Sequence, residues 1–229
     1  AQDPELHTLP DRLAILLSVV RARTDDPQAQ PWIDVSAFID ARKRAGTGMG
    51  ERNDADKDYA RFLTKVMASG LVRKRQPRVT PLQLMGLSER FPNFSKPIRF
   101  LAEQGAYATL RGVPLQVAPI LLTGPAGCGK TSFASALAEL LGGRSEVLNM
   151  ASQSCGFTIA GMDRGWSSAR PGMVFEALQH GATLSPVILL DEIDKVGTDA
   201  RSNPLGPLYT LLESRSARTF RDEYAGIPV

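Results

Sequence analysis

The chain has 229 residues, of which 43% are hydrophobic and 22% charged, the balance of an ordinary soluble globular protein of one large or two modest domains. The net charge of +3 is unevenly spread: residues 1–100 carry 17 Lys and Arg against 12 Asp and Glu, and residues 101–229 carry 10 against 12. No apolar run approaches the roughly 20 residues that cross a bilayer, so a helical membrane span is excluded.

The opening AQDPELHTLP has no charged-then-apolar signal pattern, and a start at Ala rather than Met suggests a piece of a longer chain. PDRLAILLSVVRAR places Leu13, Leu16, Leu17 and Val20 on one helical face, which predicts a helix broken by DDPQAQP. WIDVSAFIDARKR predicts a second helix ending at AGTGMG, and DADKDYARFLTKVMAS a third, with Asp54 or Asp56 as cap and Gly70 as stop. GLVRKRQPRVTPLQL then reads as a short extended pair around a basic turn. Three helices followed by a hairpin is the order of a winged-helix unit, so residues 1–80 are expected to form a small, mainly helical domain.

From Pro81 onward strands and helices alternate. FPNFSKPIRFLAEQGAYATL reads as a turn and a helix ending near RGVP, VAPILLTG as a buried strand, SFASALAELLGG as a helix, SEVLNM as a strand, GMVFEALQHGA as a helix and PVILLDE as a strand in the sheet interior. This alternation predicts an α/β core over residues 81–229, a parallel sheet layered between helices. Cys128 and Cys155 are the two cysteines, and Cys128 lies within a glycine-rich loop, so both are expected to be reduced thiols in a cytoplasmic protein. His7 and His180 are too sparse for a zinc site, and His180 beside Gly181 reads as a helix C-terminal cap.

Gly124, Pro125, Ala126, Gly127, Cys128, Gly129, Lys130 and Thr131 match the phosphate-loop pattern in full, with Ser132 following. Glycines let the backbone wrap an anion closely, and its amides converge on phosphates at a helix start. Lys130 is then expected to reach the β- and γ-phosphates of ATP, and Thr131 to supply a hydroxyl to Mg2+. Asp191 and Glu192 close an apolar run, at the strand end where open α/β sheets bind ligands. Asp191 is expected to hold Mg2+ through water, and Glu192 to orient and deprotonate the attacking water.

GPAGCGKTS followed by PVILLDEIDK resembles the AAA+ ATPases. The later VGTDARSNPLGPLYTLLESRSARTFRDEYAGIPV is similar to the ATPase module of the Lon-type ATP-dependent proteases, at Gly197, Asp199, Arg201, Pro204, Leu211, Leu212, Glu213, Phe220, Asp222, Tyr224 and Pro228. The resemblance covers about residues 90–229. It implies a P-loop NTPase core that stops before the γ-phosphate-sensing strand and the helical lid, a ring of copies, six by the usual pattern, and a polypeptide substrate. It also implies a pore-loop role for Trp166, five positions before Pro171 and Gly172, where a flat apolar side chain can press on a passing chain. Ser167 departs from the aliphatic residue usual there, and no peptidase site is present.

A different class stays open. The basic triplets Arg42–Arg44 and Arg73–Arg75 read either as a solvated surface or as a DNA-docking face of a nucleic-acid-associated ATPase, although no aromatics are interleaved to stack bases.

Overall fold

The computed structural model describes residues 11–46, 54–153, 156–196 and 203–229. The front of the chain folds as α1 (Asp11–Asp25), β1 (Ala29–Pro31), α2 (Val35–Gly46), α3 (Asp54–Ala68) and β2 (Val72–Lys74). The supposed break after α1 therefore contains a strand. Ala29–Pro31 pairs antiparallel with Val72–Lys74, with Ala29 opposite Lys74, so the local hairpin expected after Gly70 is replaced by a pairing that reaches back across two helices. The residues assigned to its second arm begin α4 (Pro81–Arg90) instead. Thr80 and Gln83 form a capping box there: Thr80 Oγ1 accepts the Gln83 amide at 3.2 Å and Gln83 Oε1 accepts the Thr80 amide at 2.9 Å.

The apolar face of α1 singled out by its periodicity points outward. Leu13, Leu16, Leu17 and Val20 are exposed, and Ile15 is the buried residue of the helix. Two apolar stripes share this helix, and it docks through the one formed by Ile15 and Val19, a single turn apart.

The core that receives Ile15 does not stop at residue 80. Trp32, Phe38, Tyr59 and Leu63 cluster with Phe175, Tyr224 and Ile227 from the far end of the chain. Trp32 meets Phe175 edge-on at 5.0 Å, and Phe62 meets Tyr224 at 4.9 Å. The Asp34 amide donates to Pro228 O at 2.9 Å.

A second core joins α4, a short 3-10 turn at Pro92–Phe94, α5 (Ser95–Arg111) and α6 (Lys130–Leu140). Its centre is the stack of Phe94 on Phe133, with centroids 4.8 Å apart and planes within 5°. Beyond α6, β3 (Ser145–Asn149) and β4 (Val187–Asp191) pair in parallel, Ser145 opposite Val187 and Asn149 opposite Asp191. The crossover between them carries α7 (Phe157–Ala160) and α8 (Met173–His180), and α9 (Gly206–Leu211) follows β4. Leu148, Met150, Ile159 and Leu208 make a third core beneath them.

This is an α/β arrangement with a small parallel sheet, and two expectations are corrected. Residues 120–123, read as part of a buried strand, precede the phosphate loop without a ladder partner among the described residues. Leu122 packs into the second core, but Leu121 stays 74% exposed. β4 is half-buried along its length rather than interior, because among the described residues it has a ladder partner on one side only. A strand is stabilised by a neighbour's hydrogen bonds as much as by apolar composition, and residues 120–123 have no such neighbour.

Asp222 ties the last segment into this frame. It is completely buried, and its Oδ2 accepts the Gly172 amide at 2.7 Å while Oδ1 accepts the Ala225 amide at 2.8 Å. Burial raises its pKa above the ordinary carboxylate value, against the opposing pull of the Ala225, Gly172 and Tyr224 amides. Asp222→Ala strands buried donors without acceptors and is expected to destabilise the fold by about 2–4 kcal/mol in urea unfolding. Asp222→Asn keeps one acceptor oxygen and is expected to cost less.

Candidate functional site

The phosphate loop turns on Gly127 (φ 75°) and Gly129 (φ 91°), a left-handed backbone that side chains disfavour. Gly129 is the N-cap of α6 and makes no side-chain cap bond. The first-turn amides of α6 therefore have no intrahelical acceptor and sit at the positive end of the helix dipole, which is the requirement for gripping an anion. Thr131 and Ser132 are exposed at this helix start. Lys130, expected on the phosphates, rests on its own loop: its Nζ donates to Gly124 O and Pro125 O, both at 3.0 Å, and lies 3.8 Å from Cys128 Sγ.

One partner of this loop was not anticipated. Asn93, in the turn before α5, donates from Nδ2 to Cys128 O at 2.8 Å. A phosphate loop works only if its amides face the ligand and its carbonyls face away, so a donor that holds a carbonyl outward supports the cradle. The neighbouring Phe94 ring stacks on Phe133 of α6, fixing the turn against the helix that the loop opens. The only sequence signal was the Pro-Asn turn chemistry of FPNF.

Asp191 ends β4, and Glu192 follows with φ 56° and ψ 37°, the one non-glycine residue at positive φ among the described residues. Such a conformation costs on the order of 1 kcal/mol and is typical of functional sites. The Glu192 amide donates to Asp191 Oδ1 at 3.0 Å. The Glu192 carboxylate accepts from Lys195 Nζ at 2.6 Å and from Asn149 Nδ2 at 3.2 Å. These two hydrogen bonds, Lys195 first, and the Lys195 charge hold it below its ordinary pKa. Asn149 reaches it because the β3–β4 register sets Asn149 opposite Asp191, a placement that no local pattern announces.

The structure thus brings Asp191 and Glu192 together at one strand end and gathers Lys130, Thr131 and Ser132 at the start of α6, which packs against β4. A hydroxyl and a carboxylate are hard oxygen donors of the kind Mg2+ takes alongside phosphate oxygens and water. Asp191 uses Oδ1 for the Glu192 amide and leaves Oδ2 open, so the residues fit that ion. Among the described residues, no group of three or more His, Cys, Asp and Glu could hold a metal without such outside ligands.

Trp166 lies on a closed loop between Gly161 and Gly172. The neck is drawn together by Met162 N donating to Arg170 O at 3.0 Å, and Asp222 fills the space a side chain at Gly161 would need, 2.7 Å from the Cβ position. Within the loop Gly165 N donates to Asp163 Oδ1 at 2.8 Å and Ala169 N to Trp166 O at 3.1 Å. Trp166 is 64% exposed, so it is not a packed core aromatic.

The basic triplets are partly spent inside the protein. Arg42 makes two hydrogen bonds to the Asp11 carboxylate, at 2.9 and 3.0 Å. Arg73 donates to Gly70 O at 3.0 Å, to Val72 O at 2.7 Å and to Gln179 O, and it lies 5.5 Å over the Trp32 ring. Lys74 Nζ is 3.6 Å from Asp26. Arg73 is thus a structural cation rather than a surface one. His180 is the last residue of α8, and Gly181 rather than His180 is its C-cap; His7, Cys155, Gly197, Asp199 and Arg201 lie outside the described residues. No helix among the described residues is long and apolar enough to cross a membrane.

Residues 120–221 match the family model described as "ATPase family associated with various cellular activities (AAA)". The chain is similar to the peroxisomal Lon protease homolog 2 of Pichia angusta, 29% identical over 218 residues, which is 92% of this chain and 22% of that protein. It is 36% identical over 211 residues to the Lon protease of Lawsonia intracellularis, covering 85% of this chain and 25% of the relative. Over 111 residues it is 38% identical to Lon protease 2 of Sorangium cellulosum, 48% of this chain and 14% of that one. The chain spans a quarter or less of these relatives' length.

Asn93→Ala is expected to weaken binding of a fluorescent ADP analogue about two- to tenfold, the equivalent of one lost hydrogen bond. The apo thermal midpoint should move little, because Asn93 is exposed.

Proposed function

This chain carries an AAA ATPase module that resembles the one in Lon proteases, and from that premise we propose that it binds ATP with Mg2+ and uses hydrolysis to unfold or remodel polypeptides. The carrying observation is the start of α6, where Gly129 leaves the first-turn amides without a side-chain cap and Lys130 rests on the carbonyls of the same glycine-rich loop. In this reading the loop amides of Gly127, Cys128 and Gly129 and those of Lys130, Thr131 and Ser132 grip the phosphates. Gly124, Pro125 and Ala126 shape the turn. Lys130 exchanges its two loop carbonyls for phosphate oxygens. Thr131 and Asp191 would hold Mg2+, whose chemistry there is to neutralise charge on the phosphate oxygens.

Glu192 orients the attacking water and takes its proton as the water oxygen bonds to the γ-phosphorus and the bond to the ADP oxygen breaks. In the structure this carboxylate is occupied by Lys195 and Asn149, so it must be released from at least one of them to act as the base.

We further read Trp166 as the contact with an extended polypeptide, six copies in a ring as the working assembly, and the cytoplasm as the location. Residues 1–80, which hold α1, β1, α2, α3 and β2, form the front domain of this reading, and residues 81–229 the nucleotide core. The exposed indole on a closed loop supports the polypeptide contact. The internal partners of Arg73 and Lys74 give no support to a nucleic-acid role.

Lys130→Ala is expected to abolish binding of the ADP analogue, and Glu192→Gln to retain binding and lose ATP turnover; normal turnover in Glu192→Gln removes Glu192 as base. The depressed pKa keeps Glu192 ionised to lower pH, so Lys195→Met should move the acid limb of turnover to higher pH, toward the ordinary carboxylate range. Trp166→Ala should weaken photo-crosslinking to a permanently unfolded, carboxymethylated polypeptide about tenfold, with Trp166→Phe retaining most of it.

A further inference from the structure

The loop that carries Trp166 touches the front helices through one charged side chain. The Arg164 guanidinium lies over the Tyr59 ring of α3, 4.0 Å from its centroid. The same guanidinium approaches Gly226, 3.8 Å from the Cβ position there. Tyr59 is itself fixed, since its buried hydroxyl donates to Ala225 O at 2.7 Å and its ring meets Tyr224 edge-on at 6.2 Å. On the return arm Ala169 packs against the same aromatic cluster. Between α3 and residues 169–171 a groove of about 330 Å³ stays open, with Asp58, Arg61 and Lys65 on its α3 side.

The loop is therefore held at three places. Asp222 closes its neck through the Gly172 amide, Ala169 rests on the aromatic cluster, and Arg164 rests on Tyr59. Trp166 lies between the last two in sequence, and its exposed ring has no comparable anchor of its own. The direction in which the indole points is thus set by residues on either side of it, and on the outgoing side that residue is Arg164.

The geometry points to Arg164 and Tyr59 as positioning residues: the guanidinium seated on the Tyr59 ring couples α3 of the front unit to the loop that presents Trp166. Movement of α3, or loss of the ring, frees the loop while leaving the nucleotide site and the Asp222 neck intact. The inference rests on reading the loop as a presenting element, and it gives the front helices a task that depends on neither DNA nor nucleotide. A guanidinium over a ring at an exposed site is a modest interaction, equivalent to a two- to fivefold change in the population of the undocked loop.

The test is time-resolved fluorescence anisotropy of Trp166 in the full chain, with the contribution of the other tryptophan, Trp32, subtracted using a Trp166→Phe protein. Arg164→Ala is expected to raise the amplitude of nanosecond loop motion about two- to fivefold while thermal unfolding changes little. Tyr59→Phe keeps the ring that carries the guanidinium and loses the hydroxyl bond to Ala225, so its anisotropy decay should stay close to that of the starting protein while its thermal midpoint falls. Tyr59→Leu should mimic Arg164→Ala, and the double variant should add nothing further. An unchanged anisotropy decay in Arg164→Ala overturns the proposal, as do additive effects in the double variant. If Tyr59→Leu fails to fold, the Arg164→Ala and Tyr59→Phe pair still decides it. The crosslinking experiment with Trp166→Ala reads the polypeptide contact separately, so a loop that loosens as expected on a protein that never contacts unfolded chains separates failure of that reading from failure of this one.

Discussion

A single buried carboxylate organises the far end of this molecule. Asp222 is removed from water without a cation beside it, a costly arrangement that persists because backbone amides from two segments converge on it. One amide belongs to Gly172, at the start of α8, and another to Ala225, in the terminal segment. The carboxylate therefore fixes the base of the Trp166 loop to residues 220–229. Those residues in turn lie against the front helices through Tyr59, Tyr224 and Ile227. Gly161 is part of the same constraint, since a side chain there would collide with the Asp222 oxygens.

The candidate nucleotide site is built on a different principle. Its groups are mostly exposed and satisfied by temporary partners: Lys130 by loop carbonyls, Glu192 by Lys195 and Asn149. A site of this kind is ordered before the ligand arrives yet can exchange each partner for a ligand atom without leaving a group unpaired. The left-handed backbone at Glu192 belongs to this design, because it turns the carboxylate out of the β4 direction toward the end of β3. The rigid support comes from behind, where Phe94 and Phe133 stack under the start of α6.

What the sequence made legible was local and chemical. The phosphate-loop pattern is eight contiguous residues, and Val187–Asp191 opens with four apolar residues whose strand character needs no distant information. The failures share a cause as well. Ala29–Pro31 contains Gln and Pro and becomes a strand only because Val72–Lys74 comes alongside. Residues 120–123 have strand composition and no ladder partner among the described residues. In α1 the periodicity was real but doubled, and only packing could choose Ile15 over Leu16. The capping box of α4 was readable in TPLQ, where it argues for a helix start rather than the hairpin arm assigned there. Asn149 and Asn93 act through register and turn placement, which appear only once the chain is folded.

The shared core of the front helices and the terminal segment bears on how the protein is made. Tyr59 and Ala225, joined by a buried hydrogen bond, are 166 positions apart, and at typical synthesis rates of about 5–20 residues per second that separation corresponds to roughly ten to thirty seconds on the ribosome. Throughout that interval the aromatic faces of Trp32, Tyr59 and Phe62 lack Tyr224 and Ile227, the groups that complete their packing. The phosphate-loop helix, whose contacts with α4 and α5 are closer in sequence, can consolidate earlier. The front helices are therefore among the last of these elements to finish folding, and the nascent chain carries an unfinished apolar surface on them until Tyr224 and Ile227 have been added.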